Sequence, residues 1–442
     1  MNLTIMSTRL FTSLGLFFLA FGLSAAPVDH HALTARHDVV LTHFDAANPL
    51  SVGNGQFCFT VDATGLQTFP EAFEKTTPLG TLSDWGWHTF PNPEGWDIDH
   101  FKFKEFPNLN GRKVPYADAS HSQQTPEVKW LRANPHRLHL GQIGLVLRRA
   151  DGAPAATNDL AAIEQRLDLW NGEIISRFQF DGQPVEVHTV CDPKLDAVAV
   201  RVVSPLVVAG RLGIQIRFPY ATGETISADW NHPAAHETRF SQDQPNRAHF
   251  ERQLDNDRYV ADAGWSLGAV MTNTARHQFE ISFPQGAGKG GELELVCAFA
   301  PQSNPTLPGF AASASAAHQY WNDFWQTGGA IDLSGSKDPR WFELERRIVL
   351  SQYLTAIQDA GQNPPAETGL TYNSWEGKFH LEMHWWHEAH FALWNHLPLL
   401  EKSLGYYQRI LPRAEGTAQK QGYAGARWPK MTSPGGAESP SP

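Results

Sequence analysis

The sequence predicts a multidomain α+β protein in which a large antiparallel β-sandwich precedes a helical region. Short bursts of alternating or apolar residues, typical of strands, recur from about residue 38 to about residue 305. The hydrophobic period then changes, near residue 309, to that of amphipathic helices. With 442 residues and a hydrophobic content of 41%, the chain is long and apolar enough for two or three domains with full cores.

The N-terminus has the pattern of an export signal. Arg9 precedes an uncharged apolar run over residues 10–23, which ends in Ser24-Ala25-Ala26. The run is too short for a membrane-spanning helix and ends in small residues, so residues 1–26 are predicted to be a signal peptide. The alternative is an uncleaved membrane anchor. We expect the mature protein in a periplasmic or extracellular space, without membrane contact after cleavage.

The net charge limits which partners the chain can bind, and the cysteines limit which disulfides or metal sites it can form. The formal net charge is −11 and no Lys/Arg-rich block occurs, which argues against nucleic acid or an anionic membrane as a partner. Cys58, Cys191 and Cys297 each lie in an apolar or β-patterned run, which favours three buried thiols. One disulfide remains possible in an exported protein, and no cysteine spacing suggests zinc. The oligomeric state is not predicted.

The β-sandwich is assigned to residues 27–305, and its clearest part is residues 165–203. Asn171-Gly172 and Asp181-Gly182 separate three β-patterned runs there. Both dipeptides tolerate positive φ at two successive positions, as two-residue hairpin turns require. These turns predict a meander of long antiparallel strands, and so many strands in series indicate a sandwich.

Residues 80–120 do not follow this pattern. The segment is rich in Trp, Phe, Pro and Gly, with scattered histidines. We interpret it as a long ordered loop that reaches towards a functional site, or equally as an aromatic-packed loop that covers a sheet edge.

The helical part begins with a linker over residues 306–335 that contains a predicted helix at 311–325. Further helices are predicted over 341–359, over 384–397 with a stop near Pro398, and over 399–410.

The most unusual stretch, residues 375–390, holds three Trp, four His and three Glu in sixteen positions. Trp375, Trp385 and Trp386 offer flat faces to pyranose rings, although helix packing is the simpler explanation and at least one indole is expected to pack inward. Together with the chain's 15 tryptophans, this composition points to carbohydrate chemistry.

Glu376, Glu382 and Glu388 are the acidic candidates of this stretch. Glu382 stands between His380, His384 and Trp385, and enclosure by indoles would raise its pKa. Proton transfer, binding of sugar hydroxyls and a structural role all remain open for it. Glu382 is the candidate catalytic residue.

The histidines raise the alternative of a zinc enzyme. His380, His384 and His387 would share one face if the whole segment were helical. The His-Glu-x-x-His motif is absent, however, because His387-Glu388-Ala389-His390 is one residue short. We therefore predict neither a metal nor another cofactor.

Arg427, Trp428 and Lys430 form a second candidate group. An arginine there would hold sugar hydroxyls or phosphate, or else form a buried ion pair with a carboxylate such as Glu438.

Several of these patterns resemble the six-hairpin glycosidases, which have an (α/α)6 toroid. Gly53-Asn54-Gly55 within residues 48–57 looks like the first strand of their N-terminal sandwich, and residues 321–328 resemble their linker helix. Residues 422–429 resemble the Gly-Ala-Arg-Phe-Pro stretch of family 65, which includes disaccharide phosphorylases and trehalases. Residues 378–386 are similar instead to the loop before a helix in family 95 α-L-fucosidases. Lys430 departs from family 65, which usually has a second aromatic residue there.

The resemblance implies a sandwich of the supersandwich type, linker helices and, over residues 336–442, the first hairpins of a toroid. A toroid needs about twelve helices, on the order of 300 residues. The resemblance therefore implies a C-terminally truncated chain, inactive alone, with the general acid beyond Pro442.

The function implied is an exported glycoside hydrolase that acts with inversion on an α-linked oligosaccharide or glycoconjugate. The alternatives are a non-catalytic carbohydrate-binding remnant and a disaccharide phosphorylase, although export favours water over phosphate as the acceptor. The residues predicted to bind the carbohydrate are Trp375, His380, His384, Trp385, Trp386, Arg427, Trp428 and Lys430.

Overall fold

The structure is a computed structural model that describes residues 27–108, 110–117, 125–302 and 306–441. The predicted signal peptide lies outside the described residues. The strands are β1 Val39–Leu41, β2 Leu50–Gly53, β3 Phe57–Val61, β4 Thr81–Ser83, β5 Trp87–His88, β6 Lys104–Pro107, β7 Lys113–Tyr116, β8 His136–Arg137, β9 Gln142–Leu147, β10 Leu160–Asp168, β11 Glu173–Phe180, β12 Gln183–Cys191, β13 Ala197–Val203, β14 Leu212–Arg217, β15 His236–Gln244, β16 Arg247–Leu254, β17 Asp257–Trp265, β18 Val270–Ala275, β19 Gln278–Ser282, β20 Glu292–Ala300, β21 Phe379–His380 and β22 Met431–Thr432. The helices are α1 His30–Ala35, α2 Pro126–Ala133, α3 Pro205–Val208, α4 Phe310–Thr327, α5 Trp341–Gln358, α6 His384–Leu393, α7 Leu397–Arg409 and α8 Leu411–Lys420.

Two antiparallel sheets form the sandwich. The larger has the strand order β1-β10-β11-β12-β13-β20-β17-β16-β15, and the smaller has the order β18-β19-β14-β9. Their facing side chains, such as Val200 and Leu295 from the large sheet and Ile214 and Ile281 from the small one, belong to one hydrophobic core. The predicted sandwich followed by helices is confirmed.

The linker helix α4 covers the outer face of the large sheet. Phe310, Ala314 and Ala317 pack with Ala199 and Val296, residues of the central strands β13 and β20. These strands are therefore buried on both faces over much of their length, which explains the continuous apolar runs in β13 and in the second half of β20.

The two predicted hairpin turns differ in the structure. Phe180 pairs with Gln183, so Asp181-Gly182 is a two-residue turn with positive φ at both positions, as predicted. Asp168 pairs with Glu173 instead, so Asn171-Gly172 ends a four-residue loop, and the two-residue prediction there is wrong. Gly172 serves close packing, because a Cβ on it would lie 1.9 Å from Cδ1 of Trp321 on α4.

The aromatic segment at 80–120 is not a plain loop. It contains β4, β5 and the hairpin of β6 and β7, in which Phe106 pairs with Val114. The aromatic side chains of Phe101 and Phe103 pack with Val128 and Leu131 of α2. The sequence pattern misses these strands because they are only two to four residues long.

The helical region differs from the prediction at one proline. The helix predicted over 384–397 ends at Leu393, and Pro398 lies in the first turn of α7 rather than behind a helix. Proline fits there because the first turn needs no backbone N–H donor. Helix α8 was not predicted.

Cys58, Cys191 and Cys297 are buried and free, as favoured from their surroundings. Within the described part of the chain, no helix has the length and the apolar character that a membrane crossing requires.

A buried carboxylate connects the large sheet to the linker helix and predicts a pH-dependent stability. Glu173 on β11 accepts hydrogen bonds from His188 on β12 at 2.6 Å and from His318 on α4 at 2.8 Å. These bonds hold the pKa of Glu173 down to about 2 against the opposing effect of burial, and Glu173 in turn raises the pKa of His188. The carboxylate contribution is complete above about pH 4.5 and is lost as the pH falls towards 2, whereas the His188 contribution is complete below about pH 6.5 and is lost as the pH rises through its folded pKa.

Glu173→Gln is therefore expected to lower the free energy of unfolding by about 2 kcal/mol near pH 6, and by less at pH 9. Thermal melting of both proteins from pH 4 to pH 9 measures this difference. Glu237→Gln, which removes one partner of an exposed ion pair with Arg239, is the control and should change little at any pH. An equal loss for Glu173→Gln at pH 6 and pH 9 would contradict the prediction.

Candidate functional site

The two sequence segments predicted to bind carbohydrate lie side by side. Phe379 of β21 pairs with Thr432 of β22, and His380 pairs with Met431. The N–H of Leu381 donates to the carbonyl of Lys430 at 2.7 Å. The stretch at 375–390 and the motif at 427–432 therefore form one surface at the start of α6.

A left-handed turn begins this surface. Trp375, Glu376 and Gly377 have φ values of 51°, 58° and 69°. For the two residues with side chains this conformation costs about 1–2 kcal/mol each. At Gly377 a Cβ would lie 2.5 Å from Cβ of Arg137, so only glycine fits. Strain of this kind is most often retained at functional positions.

The side chains of this turn contact α2. Cζ of Arg132 lies 5.0 Å above the ring of Trp375, and its Nε lies 3.6 Å from Oε1 of Glu376. Oε2 of Glu376 is buried and has no hydrogen-bond partner among the residues described. Burial raises the pKa of Glu376, and the positive charges of Lys378 and Arg132 oppose this rise.

Lys378 lies directly after the turn and is almost completely buried, with 1% of its surface exposed. Its Nζ lies 3.1, 2.6 and 3.0 Å from the carbonyl oxygens of Leu131, Arg132 and Asn134, and 2.8 Å from Oγ of Ser439. Burial lowers the pKa of Lys378 to about 7, although four surrounding oxygens favour the ammonium form. This side chain connects the end of α2 to the C-terminal segment.

The three tryptophans of the stretch are all on the surface. Trp385 and Trp386 are 74% and 72% exposed at the start of α6, and Trp375 is 36% exposed. The expectation that at least one of them packs inward is wrong, because α6 turns His384, Glu388 and Phe391 towards the protein instead.

His384 belongs to a buried polar network between α6 and α7. Its Nε2 lies 2.8 Å from Oγ of Ser403, which donates to Oε2 of Glu388 at 2.6 Å, and its Nδ1 lies 2.8 Å from the hydroxyl of Tyr407. Burial raises the pKa of Glu388. The network fixes the two helices together, and it places the predicted sugar-binding His384 behind the surface rather than on it.

The histidines do not share one helix face. His380 lies on β21, four residues before α6 begins, because residues 381–383 form a turn. Its Nδ1 donates to the carbonyl of Lys378 at 3.0 Å, which leaves Nε2 3.6 Å from Oε2 of Glu367. In the described ranges no three His, Cys, Asp or Glu side chains are grouped to hold a metal ion.

Glu382, the candidate catalytic residue, is exposed in that turn. The expected enclosure by His380, His384 and Trp385 is wrong, because the turn points Glu382 outward while His380 and His384 are buried. Of the three acidic candidates, Glu382 is the one that a ligand on this surface can reach.

Arg427, Trp428 and Lys430 lie along the other side of the surface. Nη1 of Arg427 lies 3.5 Å from both carboxylate oxygens of Glu438, so the ion pair considered from the sequence is present. Trp428 donates its indole N–H to the carbonyl of Tyr407 at 3.3 Å, and Lys430 is exposed.

The site also uses residues that the sequence did not single out. Arg132 and Arg137 come from the region around α2 and β8, and Arg137 donates to the carbonyl of Gly377 at 2.6 Å. The aromatic content at 80–120 predicted that this segment reaches a site. Both arginines lie outside that segment, and nothing in the sequence indicated them.

The fold matches a solved structure of a carbohydrate-active protein. A protein described as a kojibiose phosphorylase from the human microbiome superposes with a TM-score of 0.61 at 10% identity, over 91% of this chain and 52% of that chain. The chain therefore shares the fold of that protein over the superposed residues. Two further neighbours are a bacterial glucoamylase complexed with acarbose (TM-score 0.45, 9% identity, 90% of this chain and 56% of that chain) and a family 92 inverting mannosidase from Bacteroides thetaiotaomicron (TM-score 0.34, 9% identity, 71% and 37%).

This likeness lies in the structure and not in the sequence. No family model matches the sequence, and no curated protein matches it. The chain spans about half the length of the phosphorylase, 52%, so the superposition covers the sandwich, the linker and the first helices described above.

Proposed function

We propose that this chain supplies the sandwich and part of the substrate-binding wall of an exported glycoside hydrolase that acts on an α-linked oligosaccharide or glycoconjugate. One observation carries the proposal. On a family-65-like fold, the indoles of Trp385 and Trp386 are exposed beside the reachable carboxylate of Glu382. Flat aromatic faces next to a few polar groups are what a carbohydrate site requires.

We assign the role of each residue on this surface from the exposure of its side chain. Trp385 and Trp386 stack on sugar rings, Trp375 extends the platform, and Glu382 with Lys430 bonds sugar hydroxyls. His380, His384 and Trp428 support these residues from behind. Inversion needs an acid and a base about 6.5–9.5 Å apart, with a water between the base and the sugar. We assign Glu382 to binding or to the base, and no described residue is assigned as the general acid.

A disaccharide phosphorylase is the second candidate, because the neighbour with the TM-score of 0.61 is described as one. A phosphorylase needs a cation that is free to bind phosphate. Arg427, the arginine considered for this role, stands beside the carboxylate of Glu438, and the negative charge of that carboxylate would repel a phosphate, which supports water as the acceptor.

The test measures binding and cleavage by the 442-residue chain with α-linked disaccharides and methyl α-glycosides. Calorimetric binding without release of reducing sugar is expected. Release in water would place the acid within this chain, and release only with added phosphate would favour the phosphorylase. Absence of binding to every glycoside would refute the proposal.

A further inference from the structure

We propose that the cleft between the segment at 89–98, helix α2 and the C-terminal segment at 433–439 binds one neutral hexose ring of the glycoside, as a subsite separate from the Trp385 and Trp386 platform. The inference rests on the proposed function and deepens it, because it assigns a second sugar contact and its charge preference.

The cleft has the size of a single sugar ring. Its volume is about 210 Å³. This is below the range of about 300–1,000 Å³ that is typical of sites for drug-sized ligands. A monosaccharide unit fits such a space, whereas an oligosaccharide would have to continue out of it.

Two indoles supply the apolar wall of the cleft. Trp96 and Trp130 are both half-buried, with ring centroids 6.2 Å apart and ring planes at 56°. Trp130 is fixed, since its N–H donates to the carbonyl of Pro91 at 3.2 Å. The indole N–H of Trp96 has no partner among the residues described and is available to a ligand hydroxyl.

The opposite wall carries acceptors and a hydroxyl. Glu438 lies in the cleft, and its ion pair with Arg427 is long, at 3.5 Å, so its carboxylate keeps capacity for further hydrogen bonds. Asp97, next to Trp96 in the chain, also lines the cleft. Ser433 accepts from the N–H of Ala437 at 3.1 Å, and its hydroxyl proton has no acceptor in the described ranges. Carboxylates beside aromatic rings suit the hydroxyls of a sugar.

The charges in the cleft disfavour an anionic sugar. Lys378 is the basic side chain that lines the cleft, and four oxygens already surround its Nζ. An incoming phosphate or carboxylate would face Glu438 and Asp97 and would have to displace the existing bonds of Lys378. The ligand class is therefore a neutral hexose and not a hexose phosphate or a uronic acid.

The same lysine makes the cleft rigid before a ligand arrives. Its bonds fix the carbonyls of Leu131 and Asn134 on one wall and Ser439 on the other. A preformed site loses little conformational entropy on binding, which favours affinity for a small ligand.

The test titrates the 442-residue chain calorimetrically with methyl α-D-glucopyranoside, methyl α-D-mannopyranoside and methyl α-L-fucopyranoside. For the glycoside that binds most tightly, Trp96→Ala and Glu438→Gln are each expected to raise the Kd about tenfold or more. Trp341→Ala is the matched control, because it removes a half-buried tryptophan of α5 that does not line the cleft. It should leave the Kd within about twofold. Thermal melting of each variant verifies that it is folded.

The outcomes separate this inference from the proposed function. Binding that is unchanged in both cleft variants but weakened by Trp386→Ala would overturn the cleft and leave the proposed function in place. Absence of binding to the unmodified chain would overturn both. Binding of glucose 1-phosphate or of methyl α-D-glucuronoside in the cleft as tight as that of the neutral glycoside would overturn the assignment to a neutral ring.

Discussion

Replacement of Lys378 by methionine is expected to lower the free energy of unfolding by about 3–5 kcal/mol, which is exceptional for a single substitution. Methionine fills a similar volume but donates no hydrogen bond. The carbonyls of Leu131, Arg132 and Asn134 would then lose a donor in a place where the replaced side chain was 1% exposed. Each buried carbonyl left without a partner costs about 1–3 kcal/mol.

Urea denaturation followed by circular dichroism measures this loss. Lys430→Met is the matched control, because Lys430 belongs to the same surface but is exposed, and a change within about 0.5 kcal/mol is expected. A stability of Lys378→Met within 1 kcal/mol of the unmodified protein would show that water replaces the amine, and the role given to Lys378 would be wrong.

The double substitution of Trp385 and Trp386 by alanine is expected to weaken glycoside binding about a hundredfold, equivalent to about 2.8 kcal/mol, without loss of stability. Both indoles are more than two-thirds exposed, at 74% and 72%, so their removal leaves no cavity in the core. A loss of affinity without a loss of stability distinguishes a binding platform from a packing role.

Calorimetry gives the affinity and differential scanning calorimetry gives the Tm. Leu393→Ala, at the other end of α6 and 84% exposed, is the control for an apolar residue of the same helix, and it should leave the affinity within about twofold. Two results would contradict the prediction: unchanged affinity of the double variant, or a large fall in its Tm.

The sandwich was predictable because its signals are local. Asp181-Gly182 specifies its hairpin through the positive φ of two adjacent residues, and the strands around it alternate clearly. The loop that ends at Gly172 was misread, because Gly172 packs closely against Trp321, about 150 residues later in the chain, and an Asn-Gly pair gives no sign of such a distant contact.

The candidate site was predictable in composition but not in geometry. The residues predicted to bind sugar lie in two segments of the sequence, and the pairing of β21 with β22 joins these segments. It did not show that residues 381–383 form a turn, which exposes Glu382 and separates His380 from the helix that carries His384. Nor did it indicate the buried amine of Lys378, because a lysine in a sequence gives no sign of burial unless its partners are known.

The bonds of Lys378 also determine when the candidate binding surface can form during folding. Nζ bonds the carbonyl of Leu131, which is 247 positions earlier in the chain, and Ser439, which is 61 positions later. Contacts between such distant positions carry a large cost in chain entropy and do not form in isolated segments. Retention on an immobilised glycoside would therefore select completely folded molecules, and a sugar column would report on the quality of a preparation as well as on its specificity.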